Sequence, residues 1–344
     1  MSADSIYLDH AASTPLLPEA REAMARGFAI WANPSSPHRQ GRAARAALED
    51  ARARLKAALN WQGEVVFTSG ASEALALAIT RCALPLAAVS AVEHEAVLRH
   101  RGDAAVLSVD GLGLVSPAAC ALGGLVAVQQ VNNETGVMQP CEAIADAVRG
   151  AGGRYLCDAA QGAGKLFLPD ADLIALSAHK FGGPVGIGAL LVRDWAMLRP
   201  TGGQERGYRP GTENLPGALA MVTALEAGAD WLERAVYLRD RLDQAISAAG
   251  GVSVAIDTAR VPSIAAYRMP GRSAQVQLIR FDGMGIAVSA GSACSSGTLR
   301  TSHVLQAMGT EGADEVIRVS IGRETSEAEI DRFIAAWQEV AGAS

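Results

Sequence analysis

The chain has 344 residues, of which 49% are hydrophobic, and a formal net charge of −6 at pH 7. A chain of this length and composition can bury a large core, and we expect two domains. The mild acidity argues against nucleic acid or an anionic membrane as the main partner.

Neither a targeting segment nor a membrane span is predicted. Polar residues such as Asp4, Asp9 and His10 interrupt any apolar stretch near the N-terminus, which is unlike a signal peptide. The longest apolar region, Leu75–Val89, contains an arginine and a proline and is too short to cross a bilayer. We therefore expect a cytoplasmic protein.

Five cysteines are scattered along the chain: Cys82, Cys120, Cys141, Cys157 and Cys294. Their number is odd and no Cys-x-x-Cys pair occurs, so neither a disulfide framework nor a zinc site is expected, and no metal is predicted. The first four are interpreted as reduced thiols of a cytosolic protein.

The first two thirds of the chain alternate between helical patterns and apolar runs of strand length. Gly41–Leu59 is predicted as a long amphipathic helix with many arginines on its solvent-facing side. The strand Glu64–Thr68 leads into a helix, Ala71–Thr80. The later elements are a helix at Glu142–Arg149 and strands at Gly124–Val131, Arg154–Cys157, Ala171–Leu176 and Gly188–Val192. Continuous apolar strands separated by helices predict an α/β fold with a mostly parallel sheet covered on both faces.

The pattern changes after about Ala248, where a long predicted helix, Trp231–Ala249, ends. Short strands then mix with helices over Ser263–Tyr267, Ser273–Arg280, Ile286–Ser289, Val316–Ser320 and a final helix, Glu327–Val340. This mixture is typical of a smaller α+β domain. We expect residues 16–248 to form the large α/β domain, and residues 1–15 with 249–344 to form the small domain.

Lys180 directly follows a buried strand, in Ser177-Ala178-His179-Lys180, and a glycine-rich stretch comes next. A lysine at the end of a buried strand is costly unless its amine is paired or used. A lysine that forms a Schiff base has such a use, because its neutral amine attacks an aldehyde. The segment therefore points to pyridoxal-phosphate chemistry.

Polar side chains stand at other strand ends, where open α/β sheets bind ligands. The turn Ser69–Ser72 joins a strand to a helix N-terminus, which suits a phosphate but is also a common helix cap. Asp158 could hold the pyridine nitrogen of pyridoxal phosphate or cap a helix, and Gln161 could reach the phenolic oxygen of the ring. Asn133 ends another strand, where a turn with an Asx cap is the simpler interpretation.

Three further side chains carry suitable chemistry. His94 could stack on the pyridine ring or shuttle protons, although a lone histidine is more often structural. Cys294 lies among serine, alanine and glycine residues, a composition that favours a mobile, exposed loop and suits a nucleophile that swings into a site. Arg318 interrupts an apolar strand and could grip a substrate carboxylate or form an internal salt bridge.

Taken in order, these segments resemble the cysteine desulfurases, the NifS/IscS branch of the class V aminotransferase-like pyridoxal-phosphate enzymes. The motifs that carry the resemblance span nearly the whole chain: Tyr7-Leu8-Asp9, Ala12–Pro15, Asn33-Pro34-Ser35, Phe67–Glu73, Glu93-His94, Val131–Gly136, Asp158–Gln161, Ser177–Lys180, Gly202–Gly207, Arg209–Asn214, Gly291–Cys294 and Ile317–Arg323. The resemblance implies the type I fold of pyridoxal-phosphate-dependent transferases and a homodimer.

The resemblance also implies a role for each candidate residue. Lys180 binds pyridoxal phosphate as a Schiff base, and Cys294 is the nucleophile that becomes a persulfide. His94 stacks on the cofactor ring, and Asp158 pairs with the pyridine nitrogen. The implied phosphate ligands are Ala71, Ser72, Ser177, His179 and, from the other subunit, Thr212. The implied contacts to the ring oxygen or the substrate are Gln161 and Asn133, and the implied holders of the substrate carboxylate are Asn33 and Arg318.

The reaction that the resemblance implies converts L-cysteine to L-alanine while Cys294 takes the sulfur and passes it to an acceptor or iron–sulfur scaffold protein. Four features depart from the family pattern: Ser72 replaces the usual threonine, the first motif has His10, Ala11 and Ser13 where the family varies, and two others bear more on function. Ala76 stands where an asparagine is usual, and we expect no C-terminal extension of the kind that docks the scaffold protein in longer members. Two alternatives stay open: a selenocysteine lyase or another class V enzyme, and a non-catalytic sulfur-transfer scaffold.

Overall fold

The computed structural model describes residues 5–291 and 301–342. The strands in these ranges are β1 Ile6–Tyr7, β2 Glu64–Thr68, β3 Leu86–Ser90, β4 Ala105–Leu107, β5 Leu125–Ala127, β6 Arg154–Asp158, β7 Leu173–Ser177, β8 Gly188–Val192, β9 Val252–Ser253, β10 Ile264–Arg268, β11 Ile286–Ala287 and β12 Val316–Ser320. The α-helices are α1 Pro18–Ala29, α2 Arg39–Ala58, α3 Ala71–Arg81, α4 Glu95–Leu98, α5 Cys141–Gly150, α6 Leu215–Glu226, α7 Leu232–Ala248, α8 Ala274–Gly283, α9 His303–Ala307 and α10 Glu327–Gly342.

A seven-stranded sheet in the order β2-β8-β7-β6-β5-β3-β4 forms the centre of the larger unit. Strands β3 to β7 pair in parallel, and β8 runs antiparallel to both of its neighbours, β2 and β7. The prediction of an α/β fold with a mostly parallel sheet is therefore confirmed. Parallel pairing brings the carboxyl ends of β5, β6 and β7 to one edge, where ligands bind in folds of this kind.

Both faces of the sheet are covered, as its continuous apolar strands require. On β2, Val65 and Phe67 belong to the buried cluster that contains Leu48 and Leu55 of α2, whereas Val66 belongs to the cluster on the other face. This alternation follows from the two-residue period of a strand. The sheet is thereby held between two layers of helices.

The second unit combines an antiparallel sheet, in the order β12-β10-β9, with a parallel pair formed by β1 and β11. Its core packs Phe281, Phe333 and Trp337 against Tyr267. The pairing of β1 with β11 attaches the N-terminal segment to the C-terminal part of the chain. The exact domain boundaries at residues 15 and 248 stay a prediction. Among the described helices, none is long and apolar enough to cross a membrane.

Three local expectations differ from the structure. The predicted strand Gly124–Val131 has regular pairing only over β5; beyond it, Val128 and Gln130 still donate backbone hydrogen bonds to β6. Ser273–Arg280, in the mixed region, is helical, with Ser273 as the N-cap. On α2, Arg52 is buried, whereas the sequence indicated only that many arginines of this helix face solvent. Its carboxylate partner lies far away in sequence.

Candidate active site

A cavity of about 800 Å³ opens at the carboxyl ends of the parallel strands. Most of the site residues predicted from the sequence line it: Ala71, Ser72, His94, Asn133, Asp158, Gln161, Ser177, His179, Lys180 and Arg318. The structure thus brings together side chains that are up to 247 residues apart in the chain, from Ala71 to Arg318. Their individual roles stay predictions at this point.

Three predicted site residues are not among the residues that line this cavity. Asn33 is exposed, and its side-chain oxygen accepts a hydrogen bond from Ser35 N at 2.8 Å. Thr212 is exposed as well. Cys294 lies outside the described residues.

The turn between β2 and α3 leaves a helix N-terminus open to the cavity. Gly70 occupies the N-cap position, and no side chain of the described residues caps α3. The N–H groups of its first turn therefore remain available to an anion. Glu73 braces the turn by accepting from Ser69 N at 2.5 Å and from Arg209 Nε at 2.8 Å. A phosphate would find backbone donors and hydroxyl groups here.

Lys180 reaches the cavity from a short 3-10 turn that follows β7. Its Nζ donates to the carbonyl oxygens of Ala11 at 2.6 Å and Ala12 at 2.9 Å. His179 Nδ1 lies 3.3 Å from Ser13 Oγ. The N-terminal segment of the chain therefore closes over the lysine and orients its amine.

Near this amine lie Asp158, which is buried, and His94, which is half-buried. Asp158 ends β6, and its Oδ1 accepts from Ala160 N at 2.9 Å. Burial raises the pKa of Asp158, although the nearby positive charges of His94 and Lys180 act to lower it. Burial lowers the pKa of His94, and Lys180 adds to that effect while Asp158 opposes it. His94 Nδ1 accepts from Ala96 N at 3.1 Å, so in the neutral ring the proton sits on Nε2.

Arg318 lies on β12, and its side chain is only 5% exposed. Its Nη2 pairs with Asp9 Oδ1 at 2.6 Å, and its Nη1 donates to Asn133 O at 3.0 Å. The internal salt bridge weighed in the sequence is thus present. Arg318 still borders the cavity, and its Nε has no hydrogen-bond partner in the described part of the chain.

Two charged residues of the site were missed from the sequence. Glu134 is buried and lines the cavity, where burial raises its pKa. Lys165 lies behind Gln161, with its Nζ 3.5 Å from Gln161 Oε1. The signal that could have found Lys165 is its place in an apolar stretch just after Asp158–Gln161. In the part of the chain that the structure describes, no group of three or more His, Cys, Asp or Glu side chains could hold a metal ion.

Comparison with known proteins identifies relatives over nearly the full length. The family model for aminotransferase class-V matches residues 6–333. A cysteine desulfurase of Bradyrhizobium diazoefficiens is 38% identical, over 97% of this chain and 94% of the relative. An IscS-like cysteine desulfurase of Mycobacterium tuberculosis is 35% identical, over 94% of this chain and 93% of the relative.

Solved structures give the same result at the level of the fold. A NifS-like protein from Rickettsia africae superimposes with a TM-score of 0.89 at 28% identity, covering 98% of this chain and 100% of that one. A structure described as SspA in complex with cysteine has a TM-score of 0.79 at 28% identity, covering 94% and 100%. This chain therefore belongs to the aminotransferase class-V family and, within it, to the cysteine desulfurases.

Proposed function

We propose that this protein is a pyridoxal-phosphate-dependent cysteine desulfurase that moves the sulfur of L-cysteine onto Cys294 and releases L-alanine. The observation that carries the proposal is one cavity lined by Lys180, Asp158, Arg318 and the open N-terminus of α3. It is supported by the membership of the chain in the cysteine desulfurase family. These are the groups needed to hold an aldehyde cofactor, its phosphate and an amino-acid carboxylate.

The residues around the cavity fit pyridoxal phosphate. A cavity of about 800 Å³ is within the size range of cofactor sites. The N–H groups at the start of α3 and the side chains of Ser72, Ser177 and His179 would hold the phosphate. Asp158, buried at the end of β6, would pair with the protonated pyridine nitrogen, and Lys180 would bind the aldehyde carbon. When bound, the cofactor supplies an electron sink for negative charge that develops on the amino acid.

Lys180 and His94 are the proton-handling groups of the proposal. The neutral amine of Lys180 takes the proton from the substrate α-carbon and returns it to the alanine carbon skeleton. In the structure this amine donates to the carbonyl oxygens of Ala11 and Ala12, and both residues line the large cavity. His94 carries its ring proton on Nε2, because a backbone N–H occupies Nδ1, and it would stack on the cofactor ring and handle a proton there.

Arg318 and Cys294 act on the two ends of the substrate. The guanidinium of Arg318 binds the carboxylate of L-cysteine, assisted by Asn33, and Asn133 contacts the substrate or the ring oxygen. The Cys294 thiolate attacks the substrate sulfur. The carbon–sulfur bond of the substrate breaks and a sulfur–sulfur bond forms, so cysteine and the enzyme thiol become alanine and an enzyme persulfide without an external oxidant.

The proposal includes a homodimer and a sulfur acceptor. The exposed position of Thr212 supports a role in the site of a second subunit rather than its own. The persulfide would be passed to an acceptor for iron–sulfur cluster assembly or for another sulfur-containing biomolecule. The localisation proposed for the protein is the cytoplasm, where free thiols stay reduced.

The test incubates the full-length protein with L-cysteine and a thiol reductant and measures alanine and sulfide. We expect equal amounts of the two products from the wild type, and loss of both in Lys180→Ala. Cys294→Ala should lose sulfide release while it retains binding of pyridoxal phosphate. Full sulfide release by Cys294→Ala would contradict the proposal and favour a lyase that eliminates from cysteine or selenocysteine directly.

A further inference from the structure

Lys165 belongs to a small network around Lys180. Lys165 Nζ donates a long hydrogen bond of 3.5 Å to Gln161 Oε1. Gln161 Nε2 donates to Ala11 O at 2.8 Å, and Lys180 Nζ donates to the same oxygen at 2.6 Å. Gln161 and Lys180 therefore share one backbone acceptor, and Lys165 holds the far end of the Gln161 amide.

A second cavity, with room for about one water molecule, lies on the side of Lys180 that faces Lys165. Its volume is about 20 Å³. Lys165, Lys180 and Ala11 line it, while Lys180, Ala11 and Gln161 line the large cavity. Lys180 thus stands between the two spaces, with Lys165 on one side and the proposed cofactor position on the other.

Lys165 carries its charge at a cost. Among the described residues, its side-chain hydrogen bond is the long one to the neutral amide of Gln161, and no carboxylate pairs with it. The pKa of Lys165 is lowered to about 7, mainly by burial and secondly by the positive charge of Lys180. The chain has three lysines, Lys56, Lys165 and Lys180, among 30 basic residues. A cation that can shed its proton therefore stands at this position in a chain whose other basic residues are almost all arginines.

The other charged groups around the small cavity do not neutralise Lys165. His10 lines the cavity, and burial followed by the charge of Lys165 lowers its pKa to about 4. Glu329, on α10, acts on His10 in the opposite direction. Arg323 also lines the cavity, and its Nη1 is paired with Asp230 at 3.0 Å.

We propose that Lys165 is a positioning residue that fixes the amide of Gln161 and disfavours a second positive charge at the nitrogen of Lys180. The inference rests on the proposed function, because it concerns the amine that binds the cofactor. Because Lys165 can only donate a hydrogen bond, it requires the oxygen Oε1 of Gln161 on its side. The amide nitrogen Nε2 of Gln161 then faces Ala11 O and the large cavity. Repulsion between two ammonium groups is mutual, so a charged Lys165 favours the neutral amine of Lys180, which is the nucleophilic form.

The test titrates the visible absorbance of the full-length, pyridoxal-phosphate-loaded protein with pH, in the absence of cysteine. In Lys165→Met the midpoint of the titration should rise by about one pH unit, which is a tenfold change in the proton equilibrium. In Lys165→Arg, which stays charged at every accessible pH, the midpoint should stay at or below that of the wild type. Lys56 lies on α2 and lines neither cavity, so Lys56→Met is the matched control and should leave the midpoint of the titration unchanged.

A second measurement tests the route through Gln161. Retention of pyridoxal phosphate during dialysis is compared among Lys165→Met, Gln161→Leu and the double variant, with thermal melting as the check on folding. If Lys165 acts on retention through Gln161, the double variant retains no less cofactor than Gln161→Leu alone. Additive losses would overturn this route.

The outcomes separate this inference from the proposed function. A wild-type protein that takes up no pyridoxal phosphate would contradict the proposed function itself. A wild type that binds the cofactor, together with a Lys165→Met variant of unchanged midpoint, would overturn the inference alone. A Lys165→Arg variant that shifts upward like Lys165→Met would also overturn it, because charge would then not be the cause.

Discussion

The buried ion pair between Arg52 of α2 and Glu205 allows a quantitative test of how the fold is held. Nη1 and Nη2 of Arg52 contact the two carboxylate oxygens of Glu205 at 2.9 and 3.1 Å. Glu205 also accepts from Phe67 N at 2.9 Å. The side chains are 6% and 1% exposed. Glu205 and Arg206 both have left-handed backbone, with φ of 47° and 56°, so the ion pair anchors a strained segment.

Replacing Arg52 with methionine keeps much of the side-chain volume but leaves the Glu205 carboxylate buried without its counter-ion. Breaking a buried pair from one side costs about 3–5 kcal/mol in the free energy of unfolding. Arg54 provides a matched control two residues along the same helix. It contacts Glu226 at 2.9 and 2.6 Å, but these side chains are 35% and 39% exposed. Arg54→Met should therefore cost only about 0–1 kcal/mol.

The assay is equilibrium urea denaturation of the wild type and the two single variants, read from the midpoint at constant slope. The double variant Arg52→Met with Glu205→Gln removes the buried charge and should be more stable than Arg52→Met alone. If Arg52→Met were no more destabilised than Arg54→Met, burial of the pair would not be the source of its strength, and the reasoning would be refuted.

Three further predictions concern other parts of the molecule. Burial lowers the pKa of His10 from 6.5 to about 4. Between these pH values the unfolded state binds more protons than the folded state, so the free energy of unfolding falls as pH falls, by up to about 3 kcal/mol. His10→Gln should flatten this part of the pH profile of stability, and an unchanged slope would contradict the lowered pKa of His10. Gly188→Ala would place a Cβ 2.4 Å from Leu176 O and 2.6 Å from Gly70 Cα. It should therefore lower the melting temperature and weaken the binding of pyridoxal phosphate. A variant with the melting temperature and the cofactor affinity of the wild type would count against a rigid turn at Gly70. A thiol reagent applied to the native protein should modify Cys294 rapidly and the four buried cysteines slowly, and fast modification of several thiols would contradict the buried placement of those four.

The large sheet could be predicted because most of its strands are apolar runs of strand length. β3 and β4 were not predicted. β3 reads Leu-Ala-Ala-Val-Ser, and alanine lacks the β-branched or aromatic character that marks a strand. β4 has only three residues. Both are strands because neighbouring strands pair with them, which is a tertiary effect that local sequence does not express.

The place where most candidate residues meet could be predicted because they stand at strand ends, and parallel strands bring these ends to one edge. The partners of these residues could not. Asp9 is 309 residues from Arg318, and Glu205 is 153 residues from Arg52. Pairs of this kind depend on how segments that are far apart in the chain pack together in the folded structure, which local sequence does not express. The sequence therefore left Arg318 open between a substrate ligand and a salt bridge, and it did not single out Arg52 as the buried arginine of its helix.

The central claim is that Cys294 takes the sulfur atom of the substrate. The most direct measurement is mass spectrometry of the protein after incubation with sulfur-labelled L-cysteine and no reductant, with the labelled sulfur located by peptide mapping. We predict one added labelled sulfur on the peptide that contains Cys294, in an amount equal to the alanine released, and none in Lys180→Ala. Release of alanine without labelled sulfur on Cys294, or with the label on another cysteine, would contradict the claim.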